Sequence, residues 1–293
     1  MVFDMTDFNS TVKSLAEFLD LPEVKIVDFI LENTDADVMD FLEAFKIEDE
    51  KLLEKDTVEL VSLHSTASID DCQSIKEKGI INLQNAVTQE TPLKAYLKKK
   101  GIQVNIGEKY ILFKGKKFDI SEKTKGFSTR DEDRYKDSVI HKFYGDFQVN
   151  GFLYNENVIE YGGDTKNRPE ILFDLAKFLK DDTIELDWKN DKNKKHYILK
   201  FKQPLNYHAW FTFPGEYEDS DYGVTEDNIE YLPDDEIEVK VKKWVINRSL
   251  DVLKGHAYEV FSYVNPLLKI KPDDIMEYMT EEEYLDKYNI ASD

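Results

Sequence analysis

The first residues suited to chemistry are a histidine followed at once by two hydroxyl side chains, His64, Ser65 and Thr66. The apolar pattern predicts a strand over 58–63 that ends here, and then a helix that begins after Ser68 and ends at Gly79. A strand end that leads into a tight turn presents an imidazole and free backbone groups to a ligand. The segment is therefore a candidate ligand-binding site.

A carboxylate near the end of the chain is the second candidate for chemistry. Glu259 lies in the segment 257–264, whose alternating apolar residues predict a strand. On such a strand Glu259 shares a face with Phe261 and Tyr263. A carboxylate among aromatic side chains is either solvated at a sheet edge or held there for a function. Both interpretations stay open.

The elements that must position these residues differ along the chain. Apolar residues at steps of three and four predict three short helices within an N-terminal module, 1–56. From residue 57, strands alternate with helices, which indicates an α+β domain over 57–278, followed by an acidic tail, 279–293. Late in this domain the pattern predicts mainly strands, among them 183–187, 196–201, 208–213 and 236–246.

Charge and composition limit the possible functions. The net charge of −21 disfavours nucleic acid as a partner, and the module 1–56 alone holds 16 acidic and 5 basic residues. That module is an acidic face for a basic partner, a DNA-mimicking surface, or a solvated small domain. The sequence shows no run of apolar residues long enough to cross a membrane and no secretory signal, and it has one cysteine, Cys72. These features predict a cytoplasmic protein with no metal site, because the histidines are scattered.

Two segments resemble motifs of the ADP-ribosyltransferase superfamily. One is LHST at 63–66, with isoleucine at 75 and Gly-Ile at 79–80; the other is AYEVFSY at 257–263, followed by a proline. The resemblance implies a split β-sandwich with flanking helices, and NAD as the substrate. It implies that His64 bonds an NAD ribose hydroxyl, that the backbone beside Ser65 holds the nicotinamide, and that Glu259 supports cleavage of the glycosidic bond.

The resemblance also implies further NAD-binding residues. Thr66 completes the first motif, and Tyr154 is the expected aromatic residue that stacks on nicotinamide, with Tyr144 and Tyr161 as alternatives. Arg168 follows a glycine pair and precedes a helix, so it is either a ligand for the NAD pyrophosphate or part of an ordinary helix start.

Three functions follow, in decreasing order of preference. The first is an NAD-dependent ADP-ribosyltransferase or NAD glycohydrolase, with an open acceptor, of the kind found in microbial toxins and phage-defence factors. The second is an interaction protein that kept the fold, lost the chemistry and binds a basic partner through its acidic surface. The third, an RNA 2′-phosphotransferase, requires a cluster of basic phosphate-binding residues that the sequence does not show.

Overall fold

The computed structural model describes residues 1–55, 57–124, 129–216 and 220–290. The strands are β1 (Val2–Phe3), β2 (Glu59–Ser68), β3 (Ile102–Asn105), β4 (Tyr110–Phe113), β5 (Lys116–Asp119), β6 (Asn150–Asn155), β7 (Lys195–Pro204), β8 (Glu259–Tyr263) and β9 (Ile275–Thr280). The helices are α1 (Phe8–Leu19), α2 (Glu23–Glu32), α3 (Val38–Phe45), α4 (Asp49–Leu53), α5 (Gln73–Lys78), α6 (Leu83–Thr88), α7 (Pro92–Lys99), α8 (Asp131–Tyr144), α9 (Glu170–Leu179), α10 (Thr183–Lys189), α11 (Glu226–Tyr231), α12 (Asp234–Leu253) and α13 (Glu281–Tyr288).

The predicted α+β class is confirmed, because helices are combined with mainly antiparallel strand pairs. The split β-sandwich of the superfamily stays a prediction. The chain forms two compact units, and strands β2 and β7 each contribute residues to both. Unit 1 comprises 1–64, 150–156 and 200–265, and unit 2 comprises the remaining residues.

Unit 1 combines the N-terminal helices with a sheet. Its strands follow the order β8-β6-β2-β7, and the short β1 pairs with β2 in parallel. Helices α1, α3 and α4 contact the long α12, and one continuous core joins them to the sheet. The buried Lys242 of α12 donates hydrogen bonds to the carbonyls of Leu52 and Lys55 at 2.9 and 3.0 Å, which fixes the end of α4 on this helix.

Unit 2 has its own core and a second sheet. The antiparallel sheet β3-β4-β5 and the helices α7, α8, α9 and α10 enclose one apolar cluster. The end of β2, the start of β7 and the strand β9 are neighbours in that order. Gly79 ends α5 with a φ of +82°, which is a backbone conformation that favours glycine, as its position in the sequence predicts.

Three predicted strands are not strands. The segment 183–187 lies in α10, where Ile184 and Trp188, four residues apart, face the core of unit 2. The segment 236–246 lies in α12, and 208–213 forms irregular backbone and a turn of 3₁₀-helix at Trp210–Thr212. In α12 most of the second half is buried on every side, so its apolar residues show no helical period.

The predicted domain boundaries also differ from the compact units. Residues 1–56 do not form a separate module, because their helices share the unit 1 core with α12 and β2. The segment 279–293 is not only a tail: α13 lies within it and buries Tyr284, whose hydroxyl accepts a hydrogen bond from the backbone N–H of Val158. Strand β2 continues through Ser68, so His64 lies within the strand and not at its end.

Across the residues that the structure describes, no helix combines the length and the apolar character needed to cross a membrane.

Candidate functional site

His64 is half-buried on β2 and has a defined ring orientation. Its Nδ1 lies 2.7 Å from the backbone carbonyl oxygen of Asn150 on β6. A carbonyl can only accept, so Nδ1 carries the proton and donates this hydrogen bond. The neighbouring strand therefore fixes both the ring and its tautomer.

Glu259 is the first residue of β8 and its side chain is exposed. In the strand order of unit 1, β8 is the first strand, beyond β6. The carboxylate therefore occupies the position of a solvated residue on an edge strand, which is one of the two interpretations left open by the sequence.

The strand register directs His64 and Glu259 to opposite faces of the sheet. Leu63 pairs with Phe152, and Phe152 pairs with Phe261, so these three side chains share one face. His64 follows Leu63 and therefore lies on the other face. The pairing of β6 with β8 is irregular between Phe152 and Tyr154, but the extra residue lies on β6. Strand β8 runs without interruption from Glu259 to Phe261, so Glu259 lies on the face of Phe261. The expected single cleft lined by His64 and Glu259 is not formed.

Contacts on both faces agree with this register. The Phe152 and Phe261 rings pack with centroids 5.2 Å apart on the face of Glu259. On the face of His64, the hydroxyls of Ser62 and Ser262 lie 2.9 Å apart, and Gly151 lies between their strands. A side chain at Gly151 would place its Cβ 2.8 Å from the carbonyl oxygen of Leu63, so glycine is needed for this close approach.

The tyrosines proposed to stack on nicotinamide lie apart. Tyr154 packs against the unit 1 core, and burial, together with the charge of Glu156, raises its pKa. Tyr144 lies in unit 2 and donates a hydrogen bond to the carbonyl of Ile106 at 3.0 Å. Tyr161 is half-buried in unit 2. The structure gives none of them a contact that marks it as the stacking residue.

Arg168 is buried and holds a structural ion pair. Its Nε donates to the carboxylate of Glu185 at 3.1 Å, and its Nη1 donates to the carbonyl of Gly163 at 3.0 Å. Burial raises the pKa of Glu185, but hydrogen bonds from Lys189 and Arg168 hold it below its usual value. Arg168 therefore neutralises a buried carboxylate and does not present its guanidinium to a pyrophosphate.

Ser65 belongs to a chain of polar groups in unit 2 that the sequence did not reveal. Its Oγ lies 2.9 Å from Nε2 of His196 on β7, and His196 Nδ1 lies 3.3 Å from a carboxylate oxygen of Glu281. The Thr165 hydroxyl also contacts Ser65 Oγ, at 2.8 Å. A hydroxyl, an imidazole and a carboxylate thus follow one another, because β2, β7 and β9 are neighbours and Glu281 follows β9 directly.

The electrostatics of this chain favour a neutral imidazole. Burial lowers the pKa of His196, the hydrogen bond and charge of Glu281 raise it, and the positive charges of Lys166 and Lys194 lower it again. The net change is downward, so His196 is uncharged at neutral pH. With Nδ1 donating to Glu281, Nε2 accepts the hydrogen bond of Ser65. Thr66, the next residue on β2, is half-buried.

A groove between α1 and α2 is the second feature of interest, and it lies in unit 1. Apolar side chains from both helices line it together with two polar ones: Phe8, Asn9, Val12, Glu23, Val24 and Val27. Val24 is 61% exposed and Phe8 is 47% exposed, so both side chains present apolar surface to solvent at the groove. The helices leave apolar surface uncovered here.

Many carboxylates of the N-terminal segment, among them Glu23 in the groove lining, have no counter-charge among the described residues. Within residues 1–55, ten exposed acidic side chains form no ion pair with any described residue: Glu17, Glu23, Asp28, Glu32, Asp35, Asp37, Asp40, Glu43, Glu48 and Glu50. Asp20, in contrast, is paired with Lys51 and Lys55, whose hydrogen bonds lower its pKa. The negative charge of the N-terminal segment is therefore mostly uncompensated at the surface.

No group of histidine, cysteine, aspartate and glutamate side chains within the described residues has a metal-binding arrangement. No family model matches the chain, and no match was found among curated proteins or solved structures. The function of the Ser65–His196–Glu281 chain and of the groove between α1 and α2 is therefore inferred from their geometry.

Proposed function

We propose that the chain is an interaction protein that binds a basic, amphipathic helical segment of a partner protein through α1 and α2. The observation that carries the proposal is the mainly apolar groove between these helices, whose lining includes Glu23, a carboxylate in no ion pair among the described residues. Helices that bind in grooves place apolar side chains in the groove and charged ones at its rim. A basic partner helix matches both properties of this surface.

This function is preferred to the NAD enzyme because of the strand register. Cleavage of NAD by the implied mechanism needs His64 and Glu259 at one ligand, and their side chains leave opposite faces of the sheet. Arg168, implied for the pyrophosphate, is already paired with Glu185. Binding of a basic partner through the acidic surface does not require any of these side chains to move.

Binding of a synthetic helical peptide of leucine and lysine tests the apolar contact. Val24→Ser removes an apolar side chain from the groove, whereas Leu31→Ser removes one from the same helix that does not line the groove. Burial of a valine contributes about 1.5 kcal/mol, so Val24→Ser should raise the Kd about tenfold. Leu31→Ser should leave the Kd unchanged within about twofold. Equal effects of both substitutions, or no binding at low salt, would contradict the proposal.

Charge reversal tests the electrostatic contribution. Glu23→Lys places a positive charge in the lining of the groove, and Glu282→Lys places one on α13 in unit 2. The first should weaken peptide binding at low salt by about tenfold, and the second should have little effect. If both reduce binding equally, the peptide responds to the net charge of the chain and not to the groove.

An NAD enzyme is the second candidate, supported by the fixed ring of His64. The carbonyl of Asn150 holds the imidazole at 2.7 Å, as expected of a residue that orients a ligand. The test follows nicotinamide release from NAD by the purified chain and by His64→Ala and Glu259→Ala. Release that is lost in both variants would support one NAD site and contradict the separation of the two side chains. No release from the unmodified chain removes this candidate.

A further inference from the structure

The chain of Ser65, His196 and Glu281 has the geometry of a nucleophile, a base and a group that orients the base. The oxygen of Ser65 lies 2.9 Å from Nε2 of His196, within the 2.6–3.2 Å that proton transfer from a nucleophile requires. Glu281 contacts the other ring nitrogen at 3.3 Å, so the same imidazole links the hydroxyl to a carboxylate. We propose that unit 2 carries an acyl-transfer site in which Ser65 is the nucleophile, a function separate from the groove of α1 and α2.

The protonation states suit this role. His196 must be neutral to accept a proton, and its burial keeps it neutral at neutral pH. Glu281 is about half exposed, so it stays near water while one of its oxygens accepts from Nδ1–H. The carboxylate selects the tautomer whose Nε2 lone pair points to Ser65.

The reaction proceeds in two balanced steps for an ester substrate. In the first, Ser65 Oγ attacks the carbonyl carbon and its proton passes to His196 Nε2, which then protonates the departing alcohol. This step leaves an acyl group on Ser65. In the second, water attacks the acyl carbon, His196 takes its proton, and the proton returns to Ser65 Oγ as the carboxylic acid leaves.

Access to Ser65 is controlled by Thr165. Ser65 is 8% exposed and its hydroxyl is 2.8 Å from that of Thr165, which lies between β6 and α9. An acyl group reaches Ser65 only when this hydroxyl moves away. Removal of the contact should therefore increase the reactivity of Ser65.

The chemistry of the three residues indicates the class of substrate. An ester or a thioester has a carbonyl carbon that Ser65 Oγ can attack and a leaving group that can take the proton held by His196. The substrate class is therefore an ester or a thioester.

Labelling with a fluorophosphonate probe tests the nucleophile directly, because attack by a serine oxygen on phosphorus expels fluoride and leaves a covalent adduct. The unmodified chain should be labelled on the peptide that contains Ser65, as read by mass spectrometry. Ser65→Ala should abolish labelling, and Ser74→Ala, a half-buried serine of α5 in the same unit, should not. No adduct between pH 6 and 9, or an adduct that survives in Ser65→Ala, would overturn the proposal.

The roles of His196 and Glu281 need matched controls. His196→Ala should slow labelling about 100-fold or more, and the exposed His141→Ala should not. Glu281→Gln should also slow it strongly, whereas the adjacent, exposed Glu282→Gln should not. Glu281 is exposed, so its variant is expected to fold even if Ser65→Ala does not, and circular dichroism checks this. Full labelling of Glu281→Gln would overturn the role of Glu281.

A pH profile separates a positioning role of Glu281 from a purely structural one. Labelling of the unmodified chain should rise with pH through a midpoint below the usual histidine value of about 6.5. Glu281 raises the pKa of His196, while Lys166 and Lys194 lower it, so Glu281→Gln should move the midpoint to lower pH. Thr165→Ala should increase the labelling rate. A midpoint that stays in place in Glu281→Gln would contradict the relay.

Discussion

Replacement of Arg168 by methionine separates a structural role from a ligand-binding role. The substitution keeps much of the apolar volume but removes the partner of Glu185, which is buried. Loss of one partner from a buried ion pair costs about 3–5 kcal/mol. Lys189 remains bonded to Glu185, so the loss should lie at the low end, about 3 kcal/mol.

The assay is urea denaturation at pH 7, which gives the free energy of unfolding of the free chain. Arg134→Met is the control, because Arg134 and Asp131 form an ion pair in which both side chains are largely exposed. Such pairs contribute about 0–1 kcal/mol. If Arg168→Met lowers the free energy of unfolding by less than about 1 kcal/mol, Glu185 does not depend on Arg168, and Arg168 is available for a ligand.

Three further predictions concern unit 2. Burial raises the pKa of Asp174 to about 6, although the charge of Lys142 lowers it. The free energy of unfolding should therefore fall as the pH rises from about 4 to 6. Asp174→Asn should flatten this fall and gain about 1 kcal/mol at pH 7, as measured by urea denaturation. Burial raises the pKa of Cys72 to about 11, so a disulfide reagent should react at least about 100-fold faster after unfolding, and equal rates would contradict its burial. Gly79→Ala should lower the free energy of unfolding by about 3 kcal/mol or more, because the added methyl group collides with the backbone of Ile270. Gly115→Ala, at a similar φ but in open space, should lower it by about 1 kcal/mol. Equal losses in the two variants would exclude the collision.

Local patterns predicted the helices of the N-terminal segment well. Amphipathic spacing and capping residues act within a few positions of the chain, as when Asp7 accepts a hydrogen bond from the backbone N–H of Ser10 at the start of α1. The same local information placed Gly79 at the end of α5. These features depend on neighbours in sequence and therefore can be predicted without a fold.

The helix α12 shows where local patterns fail. Its apolar residues Ile237, Val239 and Val241 alternate as they would in a strand. The helix is nevertheless favoured because its second half, including Trp244 and Leu250, is buried on several sides. Tertiary contacts override the pattern, and no window of the sequence contains them.

The candidate sites depend on strand pairing, which the sequence does not specify. The alternation around His196 predicted a strand correctly, but not that this strand would lie beside the one that carries Ser65. A strand at Glu259 was predicted as well, and only the register with β6 shows which face the carboxylate occupies. A shift of one residue would reverse that face.

The salt dependence of peptide binding tests most directly whether the chain acts through its acidic surface. The measurement is the Kd of the leucine–lysine peptide between about 25 and 300 mM salt, for the unmodified chain and for His64→Ala. Screening of exposed charges at high salt should weaken binding at least about tenfold, and His64→Ala should bind as tightly as the unmodified chain. An affinity that does not change with salt, or that is lost with His64, would contradict an interaction through these carboxylates.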